Sequence, residues 1–125
     1  MLRAARRVST RGARMCMSVI GVAPGLVGGE CAEAASAGPP YPVPMDDYPQ
    51  LLRRAGWDLL DRGDLTAAYL EAARRHLAAV QRHSDELARL VGSDEGAATQ
   101  EQRRCTVAAI EAGLLRRQLF TCAAA

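Results

Sequence analysis

The sequence contains no lysine and no asparagine, and all sixteen of its basic residues are arginine. Without lysine there is no phosphate-loop lysine, no Schiff-base amine and no lysine nucleophile, so whole enzyme classes fall away at once. Aromatic residues are scarce, at 4% of the chain, with one Trp, one Phe and three Tyr. That is too few for a base-stacking surface or a large aromatic-lined core, which must instead be built from Leu, Val and Ala. The four cysteines, at 16, 31, 105 and 122, form no C-x-x-C pair and no zinc-like spacing, so no metal is expected. No run of about 20 apolar residues occurs, which argues against a transmembrane helix.

What is present fits an ordinary globular chain. Its 125 residues are 49% apolar and 24% charged, enough for one domain with tails. Alanine fills 24 positions, and together with the arginine-only basic set this is what a GC-rich coding sequence imposes. Charge is divided unevenly. Residues 1–44 hold five arginines and two acids, a balance of +3, whereas residues 45–125 hold eleven arginines and twelve acids, a balance of −1.

The first 29 residues carry no acid, running from an Arg-rich start through Met15 to Val22 into a Gly- and Pro-rich stretch that ends at Pro44. Three readings of this segment stay open. It has the Arg-rich, acid-poor character of a mitochondrial presequence; it has a short apolar run and an Ala35-Ser36-Ala37 site like those of a secretory signal; or translation starts at Met45. Residues 1–44 are accordingly expected to be a disordered, targeting-like or non-native extension. The protein is expected in the cytoplasm, or in mitochondria or outside the cell if that segment is a targeting sequence.

From Met45 onward the spacing predicts an all-α fold of three helices, over about 47–62, 65–91 and 99–121: an antiparallel helical hairpin with a short additional N-terminal helix. Asp46 or Asp47 caps a first stripe of Tyr48, Leu52, Ala55 and Leu59. Arg62-Gly63-Asp64 reads as a tight helix-to-helix turn. The second helix places Leu70, Leu77, Ser84 and Val91 at heptad position a and Ala73, Val80 and Leu87 at d, so only Ser84 breaks the seam. Gly92 ends it, Ser93 to Gly96 form a loop, and Thr99-Gln100-Glu101-Gln102 resembles a capping box. The third helix carries Cys105, Ala108, Ala112, Leu115, Leu119 and Cys122 at three-four spacing. Val107, Ile110 and Leu114 form a second apolar strip beside them, which a two-helix hairpin leaves uncovered, so either the first helix or another protein covers it.

Chemistry is sparse in this reading. Gly21, Gly25, Gly28 and Gly29 lack the strand-turn-helix setting of a phosphate loop. His76 and His83 are seven residues apart on one helix flank, about 10 Å along the axis, too far to share one ion without a further ligand. The acidic pairs Asp46-Asp47, Asp85-Glu86 and Asp94-Glu95 point about 100° apart on a helix, and Ser84 beside His83 is no catalytic pair for the same reason. Cys105 and Cys122, roughly 25 Å apart on one helix, cannot bridge each other within it and are expected as buried thiols in a reducing compartment, with a crossed dimer linked through them as the alternative. Arginine dyads at 53-54, 74-75, 103-104 and 116-117 are interspersed with acids, so they read as a solvated face, and no nucleic acid or membrane partner is expected. The chain is therefore expected not to be an enzyme and to need no cofactor.

Two partial resemblances follow from quoted residues. Gly56, Gly63-Asp64-Leu65 and Ala68 resemble the first helix and turn of a tetratricopeptide unit. Leu70-Glu71-Ala72-Ala73-Arg74-Arg75-His76-Leu77, a polar loop, and then Gln100-Glu101-Gln102 leading into Thr106 to Leu115 resemble the small helical-hairpin cochaperones of type III secretion needle subunits, and flagellar export chaperones show a similar Gly-Asp-Leu. That resemblance implies a cytosolic chaperone that masks an amphipathic helix of a self-assembling subunit until export. The partner is expected to dock on Val107, Ile110 and Leu114, flanked by His76 and His83. The alternatives are a homodimer formed through the same strip and a self-associating structural or organellar helical subunit imported by way of the Arg-rich start.

Overall fold

The computed structural model describes residues 1–40 and 42–125, leaving Tyr41 of the Pro-rich stretch outside the described residues. The fold is α/β. In chain order the elements are α1 (Leu2–Arg7), β1 (Arg14–Val22), α2 (Gly29–Ala37), a 3₁₀ turn (Met45–Asp47), α3 (Tyr48–Arg54), β2 (Trp57–Asp64), α4 (Thr66–Arg82), α5 (Ser84–Val91), α6 (Ser93–Glu111) and β3 (Leu115–Ala124). The all-α expectation is therefore corrected, and so is the disordered tail: Arg14 to Val22 pair with Ala123 to Leu115 along the whole of β1.

The last strand in sequence is the middle of the sheet. The order is β1-β3-β2, antiparallel throughout, with Trp57 opposite Ala124 and Asp64 opposite Gln118, and a register shift between Leu59 and Asp61. The successive side chains of β3 point to opposite faces. Phe120, Cys122 and Ala124 enter a core with Met45, Leu52 and Trp57, while Leu115 enters a second core with Val22, Ala34, Ala37, Ala109, Ile110 and Leu114. Helices α1 and α3 cover the first face; α2, α4 and α6 cover the second. Each large fully buried side chain, among them Trp57, Phe120, Met45 and Leu52, contributes about 1.5–3 kcal/mol of apolar burial.

Five boundaries differ from expectation. The first expected helix stops at Arg54 because Gly56 takes a left-handed backbone (φ +84°), and the chain turns into β2. The expected 62–64 turn is instead the end of that strand; the turn follows it, where Asp64 Oδ1 accepts the Thr66 amide at 2.9 Å. The third expected helix stops at Glu111, before left-handed Gly113 (φ +77°), and the residues beyond it form β3. The second expected helix divides at His83. Ser84 with Asp85 and Glu86 opens α5, with both acids in its first turn, where the helix dipole favours them. Ser93 to Gly96, expected as a loop, is the first turn of α6, so Thr99 lies inside that helix and caps nothing. Gly96 packs against the backbone of Ala88, which lets α5 and α6 approach closely.

Candidate functional site

One face of α6 builds the site. Glu95, Thr99, Gln102, Arg103 and Thr106 recur at helical spacing and line a cleft of about 750 Å³, closed by Ala35 to Pro40 at the end of α2 and just after it, by Ile20 of β1 and by Tyr69 of α4. Two bonds fix the walls: the Thr106 hydroxyl donates to the Ala37 carbonyl at 2.7 Å, and Gln102 Nε2 donates to the Ser36 carbonyl at 3.1 Å. A smaller cavity of about 160 Å³ adjoins the cleft and shares Tyr69, Arg103 and Thr106 with it; Ala72, Ala73, His76 and Arg117 complete its lining.

Arg103 lines both spaces, joined by Glu95 in the larger and by Arg117 in the smaller. Arg117 Cζ lies 5.9 Å from the centroid of the Tyr69 ring, within cation–π range. Its Nη2 reaches across to β1 and donates to Ser18 Oγ at 2.9 Å. The Nε atoms of Arg103 and Arg117 are both shielded from solvent and have no hydrogen-bond partner among the described residues. Burial raises the Tyr69 phenol above its ordinary pKa, with Arg117 and Arg103 pulling the other way, so the ring is neutral at physiological pH.

The residues expected to bind a partner are placed otherwise. Ile110 of α6 and Leu114 just after it are inside the second core and Val107 is buried on α6, at 4%, 7% and 9% exposure, so these three residues are not free for a partner helix. His76 is exposed on α4 at the rim of the smaller cavity; His83 stands at the α4–α5 break, its Nδ1 3.3 Å from Glu86 Oε2. The structure does not bring the two histidines together with the buried strip. The helix expected to carry both Cys105 and Cys122 does not exist as such: Cys105 is exposed on α6 and Cys122 is buried on β3, and all four cysteines are free thiols. Among the described residues no three His, Cys, Asp or Glu side chains cluster as metal ligands, and no helix is long and apolar enough to cross a membrane.

Sequence reasoning missed Tyr69, Arg103 and Arg117, although the dyads 103-104 and 116-117 held the signal. Neighbours on a helix point about 100° apart and neighbours on a strand point to opposite faces, so each dyad is split. Arg104 and Arg116 are exposed, while Arg103 and Arg117 are half-buried. The glycines after β1 also need correction: Gly25 (φ +78°) and Gly28 (φ +56°) do lie between a strand and a helix.

No family model and no curated protein sequence matches this chain. Solved structures do match its fold. A Galdieria sulphuraria protein described as a sarcosine dimethylglycine methyltransferase superposes with a TM-score of 0.83 at 13% identity, over 98% of this chain and 45% of its own. A Haemonchus contortus phosphoethanolamine N-methyltransferase, solved with phosphomonomethylethanolamine and S-adenosylhomocysteine, gives 0.80 at 11% identity, over 98% of this chain and 29% of its own. A cyclopropane synthase of Mycobacterium tuberculosis gives 0.79 at 15% identity, over 98% of this chain and 48% of its own. The chain thus spans less than half the length of these structures. They overturn the likeness to secretion cochaperones, and with it the non-enzymatic chaperone and the self-associating or organellar subunit: the chain has an α/β fold that it shares with methyltransferases and cyclopropane synthases.

Proposed function

We propose that this chain is the acceptor-binding part of a methyltransferase-like enzyme, completed by a second part of the same fold that joins the sheet along β1. The observation that carries the reading is the superposition of 98% of the chain on less than half of a methyltransferase structure. The outer edge of β1 supports it. Val22 turns its amide away from β3 to the Val43 carbonyl, at 3.2 Å, and Ala23 donates to Leu114 at 2.8 Å. Backbone alternation then directs the amides of Cys16, Ser18 and Ile20 outward, along an edge with no strand beside it among the described residues. Such an edge pairs readily with another strand.

The methyl donor used by enzymes of this kind, S-adenosylmethionine, supplies a methyl group from a cationic sulfonium. The residues present do not fit it. A Cβ added at Gly25, Gly28 or Gly29 would meet nothing within 4 Å, so no other described part of the chain closes over the loop after β1 at these glycines. The cleft beside it is lined by one cation, Arg103, and one carboxylate, Glu95, so it offers a sulfonium no net negative charge. In this reading the donor belongs to the completing part, and the described cleft receives the acceptor.

Methyl transfer tests the reading. The protein isolated from its source cell, together with whatever completes it, is incubated with methyl-labelled S-adenosylmethionine and small amine acceptors that carry an anionic group. Label in the acceptor, abolished by Cys16→Pro, supports the proposal. Proline at that outward-facing position blocks edge pairing and leaves the bonds to β3 in place. Absence of both donor binding and transfer overturns it.

A further inference from the structure

We infer that the smaller cavity between α4, α6 and β3 is an oxyanion site, in which Arg103 and Arg117 hold the carboxylate or phosphate end of a small molecule against Tyr69. Calling that molecule the acceptor rests on the proposed function; the anion site itself does not.

Buried polar groups in folded proteins are almost always paired, and an unpaired one calls for a physical account. Here two such atoms, Arg103 Nε and Arg117 Nε, belong to side chains that line one small cavity from two different elements. Guanidinium groups have donors only and cannot satisfy each other. Two guanidinium side chains brought to one small cavity call for an acceptor with several oxygens and negative charge, which is what a carboxylate or phosphate offers to a guanidinium fork. No carboxylate among the described residues lines this cavity: its lining is Tyr69, Ala72, Ala73, His76, Arg103, Thr106 and Arg117. Of the acids nearby, Glu111 pairs with Arg74 and Glu101 with Arg104, while Glu95 lines the larger cleft and not this cavity. Tyr69 and Thr106 connect the cavity to the larger cleft, so a molecule anchored at its anionic end extends its other end towards Ile20 and the end of β1.

The experiment uses the whole chain and two probes, inorganic phosphate and N-methylglycine, titrated separately while the Nε–H resonances of Arg103 and Arg117 are followed by NMR. Saturable shifts of both resonances with either probe support the site, and the probe that saturates at lower concentration identifies the oxyanion it prefers. Arg103→Leu and Arg117→Leu are each expected to weaken that binding at least tenfold, while Arg104→Leu, on the exposed side of the same helix, leaves it unchanged. Because the wild-type resonances report directly, a variant that fails to fold does not spoil the test. Unshifted resonances with both probes, or binding that survives both arginine variants, overturns the site. Anion binding without methyl transfer leaves the site standing and removes only its assignment to an acceptor; transfer without anion binding does the reverse.

Discussion

Gly21 of β1 faces the carbonyl oxygen of Val43 so closely that a Cβ at that position would stand 2.6 Å from the oxygen and 3.0 Å from Met45 Cε. The same segment accepts the Val22 amide at 3.2 Å and leads into Met45, which is fully buried. A close approach of backbone to backbone cannot be relieved by rotating a side chain. Gly21→Ala is expected to lower stability by about 1–3 kcal/mol, as overpacking does, visible as a fall in the thermal midpoint. An unchanged midpoint would show that residues 43–45 do not lie against β1.

Leu114 separates the present fold from a helical hairpin. It is 7% exposed, its amide donates to Ala109 at 2.9 Å and its carbonyl accepts from Ala23 at 2.8 Å. Leu114→Ala is expected to cost about 2–5 kcal/mol, the range for a buried leucine truncated to leave a cavity. Leu114→Asp should abolish cooperative unfolding altogether, because a carboxylate there has no partner in an apolar core. Circular dichroism during thermal melting checks both; a Leu114→Asp protein that melts like wild type would return Leu114 to the surface.

The helical part of the molecule was legible because α4 and α5 keep their apolar spacing: Leu70, Leu77, Val80 and Leu87 are half-buried on one side. The strands were not, for reasons that particular residues show. In β1, Met15, Met17 and Val19 face one core, yet Cys16 and Ile20 on the other face are apolar too, so the alternation that marks a half-buried strand is missing. In β3, the residues Leu115, Leu119 and Cys122 continue a three-four stripe begun on α6, and the helical period ran straight through Gly113. The helical period runs across Gly56 in the same way, while Gly63, expected in a turn, lies in β2 opposite Leu119. One sequence does not reveal which glycines adopt positive φ. Pairing between residues as distant as Met15 and Cys122 leaves no local trace either. The site suffered from both effects, since Arg103 and Arg117 come together only once β3 lies under α4 and α6.

The four thiols differ in access. Cys16, Cys31 and Cys105 are exposed and Cys122 is buried, and burial pushes the Cys122 thiol above its usual pKa. Iodoacetamide on the native protein should modify the first three and spare Cys122 until denaturant is added, as read by peptide mass spectrometry. The Cys105 thiol is also raised, by desolvation first and then by the Glu101 carboxylate, whose Oε1 lies 3.6 Å from Sγ. Since the thiolate is the nucleophile, Glu101→Gln should quicken alkylation at Cys105 and leave Cys31 unchanged. Equal rates in the two proteins would remove Glu101 from the account.

Asp64 ties the end of β2 to the start of α4, and its role gives a pH dependence with a definite sign. Its Oδ1 accepts the Thr66 amide at 2.9 Å and the Thr66 hydroxyl at 2.6 Å; these bonds favour the ionised carboxylate and hold its pKa below the ordinary 3.8. A carboxyl group whose pKa is lower folded than unfolded contributes stability that is full above the unfolded value and is lost as pH falls through the folded one. Wild type should therefore exceed Asp64→Ala in stability at neutral pH by roughly 0.5–1 kcal/mol, the usual effect of removing a capping side chain at a helix start. That difference should stay constant down to about pH 5 and then shrink below the unfolded pKa of about 4. Urea titrations of both proteins between pH 7 and pH 2 measure it. A gap that widens in acid would mean that the protonated form of Asp64 makes the stronger contact, contrary to the two bonds its carboxylate accepts from Thr66.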